Sequence, residues 1–140
     1  QTLIPLETRR AYRRALYRVK AKPLGFILRV GRISRPLAKI FRDEGFSKAA
    51  FLTAYNPLGK KQAKGRNQRA HQKLVRELRR RGFAFIPGVG EDPDKKWAGE
   101  TSLLVLGLSL AQARALGRRF RQNALVFAGP KALPRLVLLR

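Results

Sequence analysis

The chain has 140 residues and carries 32 Lys and Arg side chains against 8 Asp and Glu, a formal net charge of +24. Its 44% hydrophobic content is enough for the core of one domain, and so high a charge destabilises the compact state unless an anionic partner neutralises it. The absence of cysteine excludes disulfides, zinc fingers and thiol catalysis, and a single histidine leaves little for a metal site. We therefore expect one basic domain over residues 1–140 with no cofactor, no metal and no disulfide-linked partner.

The same composition bears on location. The longest apolar run, Leu103–Leu110, is far too short to span a bilayer, so a membrane is the last candidate among anionic partners and we expect none. The segment Thr8–Lys22 is crowded with Arg and lacks the apolar region of a signal peptide, so we expect a cytoplasmic protein. The lack of Cys and Met, with abundant Arg and Leu, is typical of a thermophilic source.

The first 45 residues predict two helices and two strands. A short basic helix over Pro5–Leu16 precedes a strand at Leu16–Lys20, and Phe26–Val30 forms a second strand. Ser34 is a predicted N-cap, and the helix that follows it stops at Gly45.

Residues 49–128 predict strand, helix, strand, strand, helix, strand, which is the order of a split βαβ, ferredoxin-like core. A polar loop is expected at Gly88–Thr101 and a last strand at Arg135–Leu139. The fold class is therefore α+β, a mostly antiparallel sheet with extra strands and with helices on one face. The central elements are strands at Ala49–Tyr55, Phe83–Pro87, Ser102–Leu108 and Ala124–Ala128, a helix at Asn67–Arg81 and a helix after a capping box of Ser109 and Gln112.

The positive charge is concentrated in one part of the chain. Residues 1–81 hold 23 basic and 4 acidic side chains, whereas residues 82–140 hold 9 and 4. Only Glu77 opposes ten cations between Lys60 and Arg81, and four of these cations share one face of the predicted helix, where they can follow a phosphate backbone. The predicted RNA-binding residues are Lys60, Lys61, Lys64, Arg66, Arg69, Lys73, Arg76 and Arg80, with Arg9, Arg10, Arg13 and Arg14 in the N-terminal helix.

No helix-turn-helix, basic zipper or zinc module is present, and dispersed cations on a compact α+β body favour structured RNA over DNA. We expect ribosome association, with ribosomal RNA as the first partner and ribosomal proteins as further ones. Two alternatives remain open: a small nucleotide- or nucleic-acid-processing enzyme that uses a polar cluster at one sheet edge, or an adaptor that docks on an acidic protein. We assign no catalytic residue, because His71 lies on the apolar face of its predicted helix and favours packing.

The polar cluster follows from the predicted topology, in which the end of the first core strand meets the loop after the second strand and the end of the second helix. Amides, carboxylates and an indole there could recognise a base edge and stack on its face. Alternatively Asn56 shapes a turn, Asn123 caps a helix in the left-handed conformation, and Glu100 neutralises a nearby Arg. The predicted pocket residues are Asn56, Asn67, Trp97, Glu100, Gln122 and Asn123, with Arg69, Glu91 and Asp92 expected beside them.

Several short motifs occur in order along the chain. They are Thr53-Ala54-Tyr55-Asn56-Pro57, Asn67-Gln68-Arg69, Gly88-Val89-Gly90-Glu91-Asp92-Pro93, Trp97 with Glu100 and Ser102, and Phe120-Arg121-Gln122-Asn123-Ala124. Together they resemble the bacterial family known as domain of unknown function 3293. The resemblance implies a single-domain bacterial protein and brings no activity with it. The loop that contains Lys60, Lys61, Lys64 and Arg66 is more heavily charged than we expect for that family.

Overall fold

The computed structural model describes residues 1–140, which form four α-helices and seven β-strands. The helices are α1 Leu6–Arg14, α2 Arg35–Glu44, α3 Lys64–Arg80 and α4 Leu110–Arg119. The strands are β1 Leu16–Val19, β2 Phe26–Leu28, β3 Ala49–Thr53, β4 Phe85–Glu91, β5 Glu100–Leu106, β6 Ala124–Ala128 and β7 Pro134–Leu138. None of the helices combines the length and the apolar character that crossing a membrane requires.

All seven strands form one sheet in the order β2-β1-β4-β5-β3-β6-β7, and every neighbouring pair is antiparallel. The predicted α+β class with an antiparallel sheet is confirmed. Residues 49–128 supply the four strands β4-β5-β3-β6, so β5 lies between the two strands that α3 connects. The other three strands extend the sheet at both ends, which makes it longer than a four-stranded ferredoxin-like sheet.

Helices cover both faces of the sheet. Leu74 and Leu78 of α3 and Leu116 of α4 pack against one face, as predicted for the two helices of the central region. On the opposite face, Leu37 and Phe41 of α2 pack in a second apolar cluster. The prediction of helices on one face is therefore wrong for the whole molecule. The central strands are apolar on both sides, so each side must be covered.

Local signals set the helix boundaries where they were predicted. Ser34 Oγ accepts the Leu37 N–H at 3.2 Å, and Gly45 ends α2 in the left-handed conformation with φ 76°. Ser109 and Gln112 form a reciprocal capping box at the start of α4, with N···O distances of 2.9 and 3.1 Å. These contacts depend on neighbours within one turn, so the sequence alone predicts them.

The predicted loop at Gly88–Thr101 is shorter in the structure, where β4 continues to Glu91 and β5 begins at Glu100. The sequence predicts a longer loop because glycines are typical of loops. Gly88 lies inside a strand for a packing reason: a Cβ there would be 2.6 Å from the Arg18 carbonyl oxygen and 2.8 Å from Phe51 Cε2.

Candidate functional site

A cavity of about 620 Å³ lies on the face of the sheet opposite α3 and α4, where β3 ends and β5 and β6 begin. Strand residues such as Ser102 and Val126 line it from the sheet, and Thr8 and Ala11 line it from α1. Its volume is within the range of small-ligand sites, about 300–1,000 Å³. The aromatic residues that line it are Tyr12, Tyr17, Phe51, Tyr55 and Trp97.

A glycine in the middle of the sheet opens this cavity. Gly90 of β4 is opposite Tyr17 of β1 on one side and Glu100 of β5 on the other. A Cβ built on Gly90 would have no atom closer than 3.9 Å, in contrast to Gly88 two residues earlier. The missing side chain therefore leaves space between the Tyr17 ring and the Glu100 carboxyl.

The Glu100 carboxyl is the group in the cavity with the most unusual environment. Asn56 Nδ2 donates to its Oε2 at 2.7 Å, and its Oε1 has no hydrogen-bond partner in the protein. Burial raises the pKa of Glu100, and the Asn56 hydrogen bond lowers it in part. Glu100 forms no ion pair, so the alternative that it neutralises an Arg is wrong. A carboxyl oxygen is thus left available to a ligand.

A network of amides holds Asn56 in place. Asn56 has a left-handed backbone with φ 48°, which asparagine tolerates better than most residues. Asn67 Oδ1 accepts the Asn56 backbone N–H, and Asn67 Nδ2 donates to Asn56 Oδ1, both at 2.9 Å. Gln62 N also donates to Asn56 Oδ1 at 3.0 Å. With its oxygen occupied, Asn56 directs its Nδ2 at Glu100, so Asn67 is a positioning residue behind the cavity wall.

Gln122 and Asn123 connect the cavity to neighbouring elements. Gln122 lines the cavity, and its Nε2 donates to the Tyr55 carbonyl oxygen at 3.0 Å. Asn123 Nδ2 donates to the Tyr12 hydroxyl at 3.1 Å, so it holds α1 against the cavity from behind. The alternative that Asn123 is a left-handed helix cap is wrong, because Arg121 has the positive φ, 57°.

The structure thus brings four predicted residues to one cavity, Asn56, Trp97, Glu100 and Gln122, with Asn67 and Asn123 hydrogen-bonded behind them. Three residues expected beside them do not line it. Glu91 pairs with Arg18 at 3.0 Å, and the buried Asp92 accepts the Lys96 N–H at 2.6 Å in the loop 92–99. Arg69 is exposed on α3.

Sequence reasoning missed the contribution of α1. Tyr12 lines the cavity, and its hydroxyl accepts from Asn123 while its own hydrogen has no protein acceptor. Burial raises the pKa values of both Tyr12 and Tyr17. The signal was the spacing of Thr8, Tyr12 and Ala15, which places three less polar side chains on one face of an Arg-rich helix.

His71 packs as predicted and does not line the cavity. Its ring lies edge-on to Tyr55 with centroids 6.4 Å apart, and its Nδ1 is buried without a hydrogen-bond partner. Burial lowers the pKa of His71, which favours the neutral form.

The predicted basic row lies on α3 and is exposed. One of its members is not free, because Arg80 pairs with Glu77 at 2.7 Å. Glu77 is buried and also pairs with Arg119 of α4 at 3.1 Å, so this acid connects two helices. The cations that remain unpaired on the row are Arg69, Lys73 and Arg76.

A second depression, of about 410 Å³, lies at the loop before α3. It has four cationic side chains and no acidic one, and we call it the basic depression; its cations are Lys60, Lys61, Arg66 and Arg121. Arg121 was not among the predicted RNA-binding residues, because it lies in the turn after α4 and reaches this surface only in the fold. Lys61 lines both the basic depression and the aromatic cavity.

The predicted cations of α1 lie on a different helix from the basic row. Arg10, Arg13 and Arg14 are exposed, while Arg9 is partly buried and its Nε donates to the Ile4 carbonyl oxygen at 3.1 Å. The twelve predicted RNA-binding residues therefore lie on both sides of the sheet, because α1 lines the cavity on the face opposite α3, and Lys61 lines the same cavity as α1. Lys64 is exposed in the first turn of α3, close in sequence to the basic depression.

Together these features define a small basic α+β protein with an aromatic cavity on one side of an antiparallel sheet and a cationic surface beside it. Residues 52–125 match the model of the family described as Protein of unknown function (DUF3293), and the chain belongs to this family. No curated protein and no solved structure matches the chain. The matched range contains every predicted pocket residue, whereas Tyr12 and Tyr17 lie before it.

Proposed function

We propose that the protein binds structured RNA, with ribosomal RNA as its first partner, through the exposed row on α3 and the basic depression. The supporting observation is the uncompensated charge of this surface. Ten cations lie between Lys60 and Arg81, and the single acid among them, Glu77, is buried and already paired. A surface of this kind attracts phosphates and gains free energy by releasing their counterions.

Four of the other acids lie outside the α3 row, whereas Glu7 and Glu100 line the cavity that Lys61 shares. Asp43 and Glu44 are on α2 on the opposite face of the sheet, and Asp92 is buried in the loop 92–99. Glu91 is paired with Arg18. The protein therefore presents phosphate-binding cations at the α3 surface with little internal competition.

A matched pair of triple variants tests the proposal. The first replaces Arg69, Lys73 and Arg76 by Gln, and the control replaces Arg32, Arg35 and Arg42, which are exposed on and before α2, by Gln. Both variants lose the same charge. Affinity for a structured RNA is measured across a salt series, and each lost phosphate contact lowers the log–log salt slope by about 0.7–0.9. We expect the α3 variant to lose roughly 2–3 units of slope and the control much less.

Equal losses in the two variants would show diffuse attraction without a binding face. No affinity of the native protein for RNA at low salt would refute the proposal itself. Ribosome association is tested separately by sedimentation of a lysate through a sucrose gradient at moderate salt. We expect the protein to migrate with ribosomal subunits, and migration only as a free monomer would contradict this part.

The Glu100 environment favours one further candidate function, a nucleotide- or nucleic-acid-processing enzyme. A carboxyl whose pKa is raised by burial, in the same cavity as an available Tyr12 hydroxyl, has the properties of a general acid or base. Hydrolysis of nucleotides or RNA that is lost in Glu100→Gln, with binding retained, would support this function. Absence of any turnover by the native protein would exclude it.

A further inference from the structure

The aromatic cavity and the basic depression are neighbours. The loop at residues 56–62 separates them, and Lys61 lines both. The cavity also has Lys96 at its wall, from the loop 92–99. Aromatic rings, a free carboxyl oxygen and adjacent cations therefore occur within one continuous region of the surface.

We propose that the cavity binds one unstacked nucleobase that carries N–H donors on its pairing edge, guanine above all, while the neighbouring cations hold the attached phosphate. This inference rests on the proposed RNA binding for the source of the base, and a free nucleotide would present the same chemistry.

Stacking supports a base as the occupant. Single-stranded RNA is recognised by splaying bases onto aromatic side chains, and each stack contributes about 1–3 kcal/mol. Tyr12 and Trp97 line the cavity together with Asn56 and Glu100, and its volume admits a nucleotide.

The hydrogen-bonding groups select the edge of the base. Oε1 of Glu100 is a free acceptor, and Oε2 has lone-pair capacity beyond the Asn56 contact. Guanine presents two adjacent N–H donors that match a carboxylate, and the amino groups of cytosine and adenine present one donor group each. Uracil has a single ring N–H between two carbonyl oxygens, which the carboxylate repels. We therefore expect the order guanine, then cytosine and adenine, then uracil.

Trp97 is the only tryptophan in the chain, so its fluorescence reports on the cavity directly. The four nucleoside 5′-monophosphates are titrated at low salt. We expect GMP to quench or shift Trp97 emission with a dissociation constant at least about tenfold below that of UMP, the discrimination of one bidentate contact. A single-stranded RNA with one guanosine in a uridine context should bind more tightly than the same RNA with an abasic site there.

Two variants separate the contribution of the cavity to binding from that of the surface charge. Gly90→Val fills the space where a Cβ meets no atom closer than 3.9 Å, keeps every charge, and suits a strand. It should abolish the Trp97 response and the difference between the guanosine and abasic RNAs. Glu100→Gln turns an acceptor into a donor, because Asn56 then holds the amide oxygen, and should shift the preference from guanine toward uracil. Circular dichroism confirms that each variant is folded.

The outcomes separate this inference from the proposed function. The cavity proposal is overturned, and RNA binding stands, if RNA binds but GMP leaves the Trp97 emission unchanged and neither Gly90→Val nor the abasic site changes the affinity for RNA. If GMP binds in the cavity while RNA shows no affinity, the proposed function fails and the base comes from a free nucleotide. A Glu100→Gln variant that weakens the binding of all four nucleotides equally would overturn the proposal that Glu100 recognises the pairing edge of the base.

Discussion

At the scale of single residues, Glu100 has the clearest consequence for stability. Its folded-state pKa is raised above the ordinary value of 4.5, so the folded protein binds a proton more readily than the unfolded chain. The stabilising effect of this proton is fully present below pH 4.5 and is lost as the pH rises through the folded-state pKa. The ionised carboxylate therefore destabilises the protein at neutral pH.

Glu100→Gln should consequently raise the melting temperature at pH 7, and the gain over the native protein should shrink as the pH falls through the folded-state pKa and be absent below pH 4.5. Thermal unfolding followed by circular dichroism between pH 3 and 8 measures both effects. A gain that persists unchanged at low pH would show that ionisation is not its cause. A destabilising acid retained beside a cavity is typical of a functional group rather than a structural one.

Leu104 tests the packing of the second apolar cluster. It lies on β5 in the middle of the sheet and is 1% exposed. Leu104→Ala removes buried surface and leaves a cavity, so the free energy of unfolding should fall by about 2–5 kcal/mol. Urea denaturation measures this, with the exposed Leu24, at 82% exposure, changed to Ala as the control. Similar losses for both variants would contradict the assigned core.

At the scale of elements, Glu77 connects α3 to α4. The hydrogen bond from Arg80, followed by that from Arg119, lowers the pKa of Glu77 below 4.5. For an acid with a lowered pKa, the stabilisation is present above pH 4.5 and is lost as the pH falls through the folded-state value. Glu77→Gln should therefore lower the melting temperature at pH 7, with the difference from the native protein disappearing at strongly acidic pH.

The matching control is Asp43→Asn, whose carboxylate forms an exposed pair with Lys39 within α2. Exposed pairs of this type contribute little, so its melting temperature should stay close to that of the native protein. Equal changes in melting temperature for the two substitutions would show that the Glu77 ion pairs between the helices stabilise the protein no more than an exposed ion pair does.

Strand β4 shows how one element serves both packing and the cavity. Gly88 gives room to the Phe51 ring, and Gly90 leaves open the space between Tyr17 and Glu100. The same two glycines made the segment resemble a loop in the sequence. A strand prediction fails there because packing against the side chains of neighbouring strands outweighs the preference of glycine for loops.

At the scale of the whole molecule, the net charge of +24 produces self-repulsion that salt screens. The melting temperature should therefore rise between 20 mM and 500 mM sodium chloride. The variant that lacks Arg69, Lys73 and Arg76 should show a smaller rise, because it carries less charge. Differential scanning calorimetry measures this, and a melting temperature that falls with salt would mean that the ion pairs outweigh the repulsion.

Features that depend on neighbours along the chain can be predicted from the amino-acid sequence. The order of helices and strands, the α2 and α4 caps and the α+β class follow from periodicity and from contacts within one helical turn. The approach of Asn56, Trp97 and Gln122 to Glu100 was also expected, because it follows from the order of the central elements.

The surfaces that these elements share depend instead on contacts between distant parts of the chain. Three features join residues that are far apart in the chain. Helix α2 packs on the opposite face of the sheet, Tyr12 lines the cavity, and Arg121 lines the same depression as Lys61. Such contacts form where a helix or loop covers apolar surface of the sheet that would otherwise be exposed to water. Short-range patterns carry no information about that choice, because burial rewards any helix with a suitable apolar face.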